Sequence, residues 1–291
     1  MAQDPVSVCA VGATLGEGPV WTAENAALWF VDIKQRRIHR LQPDTGALKS
    51  WDAPAQPGWI LPADDGSLIV GLQTGLNRFD PADGGFALLD QPEAHRPGNR
   101  LNDATVDADG TLWFGSMDDA EEAPTGHYYR FRQGRTDVAA IDPVVITNGP
   151  AIAPDGTLYY VDTLARRIWA TTPRGDGTLG PSRLFAEIED GAGYPDGPVV
   201  DAEGHVWIGL FGGWGVRRYA PDGRLTATVR FPVANVTKIA FGGADLRTAY
   251  ATTARKGLND AQLRDQPLAG NLFAFDPGVA GQPGHRIAIA G

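Results

Sequence analysis

Six stretches of this chain repeat one outline, and the repeat limits the fold more than any other feature of the sequence. They read LWFVDIKQRRIHRLQPDTG from Leu28, LIVGLQTGLNRFDPADG from Leu68, LWFGSMDDAEEAPTGHYYRFRQG from Leu112, LYYVDTLARRIWATTPRGDG from Leu158 and VWIGLFGGWGVRRYAPDGR from Val206. The sixth is looser, AYATTARKGLND with LAGNLFAFDPG after it, from Ala249. The starts are separated by 40, 44, 46, 48 and 43 residues, which is the length of a propeller blade. In each unit an aromatic-aliphatic strand is followed by a turn and a second strand, such as RIHRL, GLNRF or RIWAT. Before four of the starts lies a further turn, at Asp65-Gly66, Asp109-Gly110, Asp155-Gly156 and Glu203-Gly204, where glycine permits the positive φ of a tight hairpin.

The apolar pattern alternates with period two, and no helical period persists over ten or more residues. A single blade cannot bury both faces of its sheet, whereas six in a ring pack each sheet between two neighbours. The expectation is an all-β, six-bladed β-propeller forming a single domain over residues 1–291, since no Ser/Gly linker divides the chain. The ring must also close, and the strand near Val6–Val11 is expected to join the C-terminal blade. The 37 Gly and 22 Pro, beside 8 Trp and 7 Tyr, suit many short strands joined by tight turns.

Charge and cysteine content remove several function classes. With 35 acidic against 25 basic side chains the net charge is −10, and the longest basic cluster is only Lys34, Arg36 and Arg37, so nucleic acid is a poor partner. The lone Cys9 allows neither an intrachain disulfide nor a thiolate metal cluster, and VSVCAVG places it as buried filler in a strand. No 18-residue apolar run and no signal-peptide pattern occur, so a cytoplasmic protein without a membrane partner is expected. His39, His95, His127, His205 and His285 fall at unrelated repeat positions; His205 sits in a turn, and the others read as exposed strand or loop. No G-x-S-x-G elbow, H-E-x-x-H helix or phosphate loop is present, which argues against serine or cysteine nucleophiles and nucleotide cofactors.

Upstream of each hairpin lies a shorter element, and aligning these brings out the chemistry. Glu17-Gly18-Pro19, Asn148-Gly149-Pro150 and Asp196-Gly197-Pro198 share one phase, with Asn102-Asp103 in the same tier of the third unit, Pro57-Gly58 in the second and Thr237-Lys238 in the sixth. The first strand of a propeller blade lines the central channel, so Glu17, Asn148 and Asp196 are expected to converge on the axis. Two carboxylates and an amide oxygen form a hard-oxygen set for one divalent ion, with positions open for water and substrate. Taken singly, each residue reads as a turn former before glycine. Arg100 and Asn102 beside a metal suit the hydroxyl and carbonyl oxygens of a polyol. The run Asp118–Glu122 reads as solvated loop at the channel mouth, with one carboxylate able to reach substrate. Lys238 begins the sixth axial element, where it balances charge or contacts ligand. Asp32 and Asp162, at equal phases of outer hairpins, are expected to cap turns through backbone N–H groups.

These residues, in LGEGPVW, RLNDATVDADGTLWFGSM, ITNGPAIAPDGTLYYVDT, YPDGPVVDAEGHVWIGLFGG and FGGADLRTAYATTARKG, resemble the senescence-marker-protein/gluconolactonase/regucalcin family from Leu15 to Gly257. The resemblance is nearest in look to bacterial sugar lactonases such as xylonolactonase. It implies a divalent ion (Ca, Zn, Mn, Mg or Fe(II)) on Glu17, Asn148 and Asp196, and substrate contacts from Arg100, Asn102 and Glu121. The expected activity is metal-dependent hydrolysis of a sugar (aldono)lactone, a carboxylic ester hydrolysis with Asp196 as general base, by a monomer or weak oligomer. Two alternatives stay open: a non-catalytic, calcium-binding, regucalcin-like protein, or a promiscuous esterase or phosphotriesterase.

Overall fold

Each of the six repeats becomes one four-stranded antiparallel sheet, and the sheets ring a common axis. The computed structural model describes residues 4–175 and 177–289. The inner strands are Gly16–Thr22, Pro57–Pro62, Asn99–Val106, Thr147–Ile152, Tyr194–Val200 and Val236–Gly242, in blades one to six. The repeat starts recognised in the sequence fall in the second strands, Ala27–Asp32, Leu68–Leu72, Leu112–Asp118, Leu158–Asp162, Val206–Phe211 and Thr248–Thr253. The outermost strand of blade six is Val6–Cys9, paired through Val6 with Ala274 and Ser7 with Phe273. The N-terminal strand therefore closes the ring as expected. Cys9, however, is only half-buried at the end of that edge strand.

The apolar core lies between blades and leaves the axis free for polar groups. Second strands are buried on both faces, as in Ala27–Asp32, where every residue is covered. Trp29, Val31, Ile60, Val70 and Phe79 fill one interblade layer; Tyr159, Val161, Ile208 and Leu210 fill another. Asp32 accepts hydrogen bonds from the backbone N–H groups of Thr14 (2.7 Å), Leu15 (3.1 Å) and Gln35 (3.1 Å), and Asp162 accepts one from Ala165 (3.2 Å). Both are the turn caps their phase implied.

All six inner strands break register with their neighbours at the same place, between Glu17 and Val20, Pro57 and Trp59, Leu101 and Ala104, Asn148 and Ala151, Pro195 and Pro198, and Val236 and Ile239. A bulge re-aims side chains and sharpens the local twist. Repeated around the ring, it brings one short segment per blade to the hub.

Two features lie outside the sequence reading. The chain after blade six runs under one face of the ring. Gly281 N–H donates to the Leu246 carbonyl (2.8 Å), Ile287 N–H to Pro62 (3.0 Å), Ala288 N–H to Gly110 (2.9 Å), and the Gln282 side chain to Val200 (3.1 Å). This strap ties blades two, three, five and six together. Among the described residues there is one short α-helix, Asp260–Asp265, capped by Asn259, and no helix long and apolar enough to cross a membrane.

His39, expected at the surface, is buried at 4% exposure. Its ring stacks on Phe30 at 4.9 Å, and Nδ1 lies 2.8 Å from the Ser50 hydroxyl. The alternating strand carries it inward, since His39 faces Phe30 across the pairing of Ala27–Asp32 with Arg37–Gln42. Burial pushes its pKa down to about 4, helped by Arg37 and opposed by Asp32. The folded protein thus holds the ring neutral, while the unfolded chain takes up a proton near the ordinary pKa of about 6.5. Stability from this residue is complete above that value and drains away as pH falls from about 6.5 to about 4, by up to about 3 kcal/mol. Replacing His39→Gln is expected to flatten that fall. Chemical denaturation of both proteins between pH 7 and pH 4 checks it, and parallel curves would show that the ring protonates freely in the native state.

Candidate metal and substrate site

The bulged segments deliver Glu17, Asn148 and Asp196 to the axis, where all three are buried and line one cavity of about 240 Å³. The sequence phase therefore located a real meeting point of three blades. The Glu17 and Asp196 carboxyl groups stand within hydrogen-bonding reach of each other. Burial, then the neighbouring Asp103 carboxylate, pushes Glu17 up to about 7 against the opposing Gly18 N–H (3.0 Å), Lys238 and Arg100. Burial, followed by Glu17 and Asp103, drives Asp196 well above the usual carboxylate range. Two adjoining buried carboxyls in this condition need a shared proton or a cation.

The third member is held more firmly. Asn148 Nδ2 donates to the Thr163 hydroxyl (3.0 Å), and its Oδ1 accepts from Asn102 Nδ2 (3.0 Å). These partners fix which end of the amide is oxygen and leave that oxygen a second lone pair. Among the described residues no third carboxylate, histidine or cysteine is grouped with Glu17 and Asp196 so as to share one ion with them. An ion here would take the Asn148 amide as its third protein ligand. Two carboxylates in electrostatic conflict and an oriented amide oxygen fit a hard divalent cation.

Arg100 and Asn102 reach the same cavity, and each is largely engaged by the protein. Arg100 is 2% exposed; it donates through Nε to Asp119 (2.8 Å) and through Nη1 to Asn102 Oδ1 (2.6 Å) and the Leu101 carbonyl (3.2 Å). That leaves Nη2 for a ligand. Asn102 commits its Nδ2 to the Thr147 carbonyl (2.5 Å) and Asn148 Oδ1, so it orients a proposed metal ligand and retains only acceptor capacity. Glu121 lies at the rim in a left-handed conformation, φ 63°, and pairs with Lys256, a cavity-lining residue that the sequence reading passed over. Leu15, Met117, Tyr194 and Phe211 supply the apolar walls.

Asp119 departs from the solvated loop expected of Asp118–Glu122. It accepts from Lys34 Nζ (2.6 Å) of the blade-one turn, Gln56 Nε2 (2.9 Å) just before the blade-two inner strand, and Arg100 Nε of blade three. Although burial raises its pKa, those hydrogen bonds and the charges of Arg100 and Lys34 hold it down at about 2. Asp118 behaves differently: half-buried, it closes the loop by accepting from Ala123 (2.9 Å) and Glu122 (3.0 Å) backbone N–H groups. The acidic run thus divides into a brace, a loop closure and a rim carboxylate. Only side-chain reach across three blades separates these roles, and no sequence pattern reports it.

The fold and hub together define an axial-site β-propeller with a hard-oxygen donor set. The family model described as "SMP-30/Gluconolactonase/LRE-like region" matches residues 15–255. The chain belongs to this SMP-30/gluconolactonase/regucalcin family. It is 36% identical over 280 residues to L-arabinolactonase of Azospirillum brasilense, covering 94% of this chain and 92% of that protein. It is 34% identical to 6-deoxy-6-sulfogluconolactonase of Pseudomonas putida, covering 92% and 93%. Among solved structures, the calcium-binding protein regucalcin of Agrobacterium tumefaciens superposes with a TM-score of 0.91 at 28% identity, covering 99% of this chain and 97% of that one.

The brace on Arg100 has a measurable consequence. Asp119→Asn removes the charge that Arg100, Lys34 and Gln56 share and is expected to lower unfolding stability by about 2 kcal/mol, typical of hydrogen bonds to a charged group. Urea denaturation of the variant tests this, and an unchanged midpoint would show that Arg100 is braced without Asp119.

Proposed function

We propose that the protein hydrolyses a sugar lactone, the cyclic ester of an aldonic acid, with one divalent metal ion held by Glu17, Asn148 and Asp196. The observation that carries this reading is the adjoining pair of buried carboxyls beside an oriented amide oxygen, on the floor of a cavity whose polar wall is Arg100 and Asn102. The names of the two lactonase relatives favour the same chemistry and a small-molecule substrate. With one unpaired cysteine and an acidic surface, we place the protein in the cytoplasm.

Bound in this set, a divalent ion supplies Lewis-acid polarisation of the lactone carbonyl. The protein supplies the remainder. Asp196, on the cavity floor, takes a proton from the water that attacks the carbonyl carbon. As the ring C–O bond breaks, the same carboxyl returns that proton to the departing ring oxygen, and the product is the open-chain aldonic acid. Arg100, held rigid by Asp119, offers Nη2 to a substrate hydroxyl, while Asn102 Oδ1 and Glu121 accept from others. These fixed contacts orient the lactone face towards the floor. The rim carboxylate and the polar wall suit a polyol better than an apolar ester.

A panel of pentono- and hexonolactones, assayed with chelated and metal-reloaded protein, tests the reading. Turnover is expected to vanish on chelation and return with a divalent ion. Asp196→Ala is expected to lose at least about 10³-fold in kcat at saturating metal, as for a positioned acid–base group. Full turnover by that variant, or by stripped protein, would overturn the assignment.

A further inference from the structure

One residue along each inner strand from the oxygen-bearing tier stands a second tier: Gly18, Gly58, Asp103, Gly149, Gly197 and Lys238, in blade order. Four of the six are glycine, and the reason is contact between adjacent inner strands. A Cβ on Gly18 would lie 3.0 Å from Trp59 Cα, one on Gly58 2.5 Å from the Leu101 carbonyl oxygen, and one on Gly149 2.8 Å from Pro198 Cγ. The two positions with side chains belong to blades three and six, which face each other across a ring of six. Those side chains meet, with Lys238 Nζ 2.5 Å from Asp103 Oδ1.

Everything around the pair is built to hold it. Asp103 also accepts from the backbone N–H of Ala104 (2.7 Å) and of Gly149 (2.9 Å). The Lys238 stem lies where Gly197 has no side chain; a Cβ there would come within 2.7 Å of Lys238 Cγ and Cδ. Asp103 and Lys238 are 2% and 7% exposed. Above them is the cavity lined by Glu17, Asn148 and Asp196; below is a second axial cavity of about 480 Å³, lined by Pro19, Pro150, Pro198 and Lys238 itself. The ion pair is the partition between the two.

The hub contains three buried carboxylates, Glu17, Asp103 and Asp196, and the other buried cation, Arg100, is already engaged by Asp119. We infer that Lys238 is the hub's resident cation: its ammonium occupies Asp103, leaves Glu17, Asn148 and Asp196 for a single divalent ion, and sets how tightly that ion is held. This rests on the metal reading proposed above. Buried charges at such separations interact strongly, because little water screens them. Removing the ammonium leaves Asp103 as an uncompensated anion beside the metal tier; removing the Asp103 charge leaves an uncompensated cation. Lys238 is thus a positioning residue acting through charge, without touching substrate.

The test is calorimetric titration of Mn²⁺ into metal-stripped wild type, K238M, D103N, K238R and the double variant K238M/D103N, with circular dichroism and the metal-free Tm recorded for each. K238M is expected to bind the ion at least about ten-fold more tightly and D103N at least about ten-fold more weakly. K238R, which keeps the charge, and the double variant, which removes both charges, are expected to fall within about three-fold of wild type. Metal-free Tm should drop in each single neutral variant and recover in the double. If a single variant fails to fold, K238R and the double variant still decide: a ten-fold change in affinity in either would overturn the inference. Equal affinities in folded K238M, D103N and wild type would contradict it while leaving the metal reading intact. No Mn²⁺ uptake by wild type would contradict both.

Discussion

The rest of the structure turns on an electrostatic conflict: three carboxyl-bearing residues from three blades are buried together at the centre of the ring. Glu17, Asp103 and Asp196 are each at least nine-tenths covered, and burial opposes ionisation of Glu17 and Asp196. A core of this kind persists only with cations or shared protons in it. The protein answers one carboxylate with Lys238 and leaves the other two, with the Asn148 amide, turned towards a cavity. Structure and proposed chemistry therefore have one origin, since the arrangement that would be costliest empty is the one suited to a divalent ion.

The propeller makes this possible because its apolar burial lies elsewhere. Interblade layers such as Trp29–Ile60–Phe79 and Tyr159–Ile208–Leu210 hold the sheets apart from the axis at fixed spacing. The repeated bulge then turns one segment of every inner strand to the hub, and glycines at the second tier let those strands touch. Ring closure by Val6–Cys9 and the strap from Gly281 onward add constraints at the rim and the underside. Side chains far apart in sequence are thereby fixed relative to one another, as an axial site requires.

Much of this was legible in the sequence because a repeat converts phase into position. Strand starts at Leu112 or Leu158 are announced by turns before them, and Glu17, Asn148 and Asp196 share a phase that only one place in a ring can satisfy. What escaped was whatever depends on reach across blades. His39 looked exposed because nothing local reveals that its strand is covered on both faces. Asp119 looked like part of a solvated run, yet it gathers Lys34, Gln56 and Arg100 from three blades. The pairing of Asp103 with Lys238 needs the knowledge that blades three and six stand opposite. Lys256 is one residue of a loop until the fold swings it over the rim to Glu121.

Anomalous diffraction from crystals grown with manganese tests the central claim most directly. The account predicts one strong peak on the axis, about 2.0–2.5 Å from carboxylate oxygens of Glu17 and Asp196 and from Asn148 Oδ1, with Lys238 still against Asp103. An axis without a peak, or an ion seated on other residues, would contradict it.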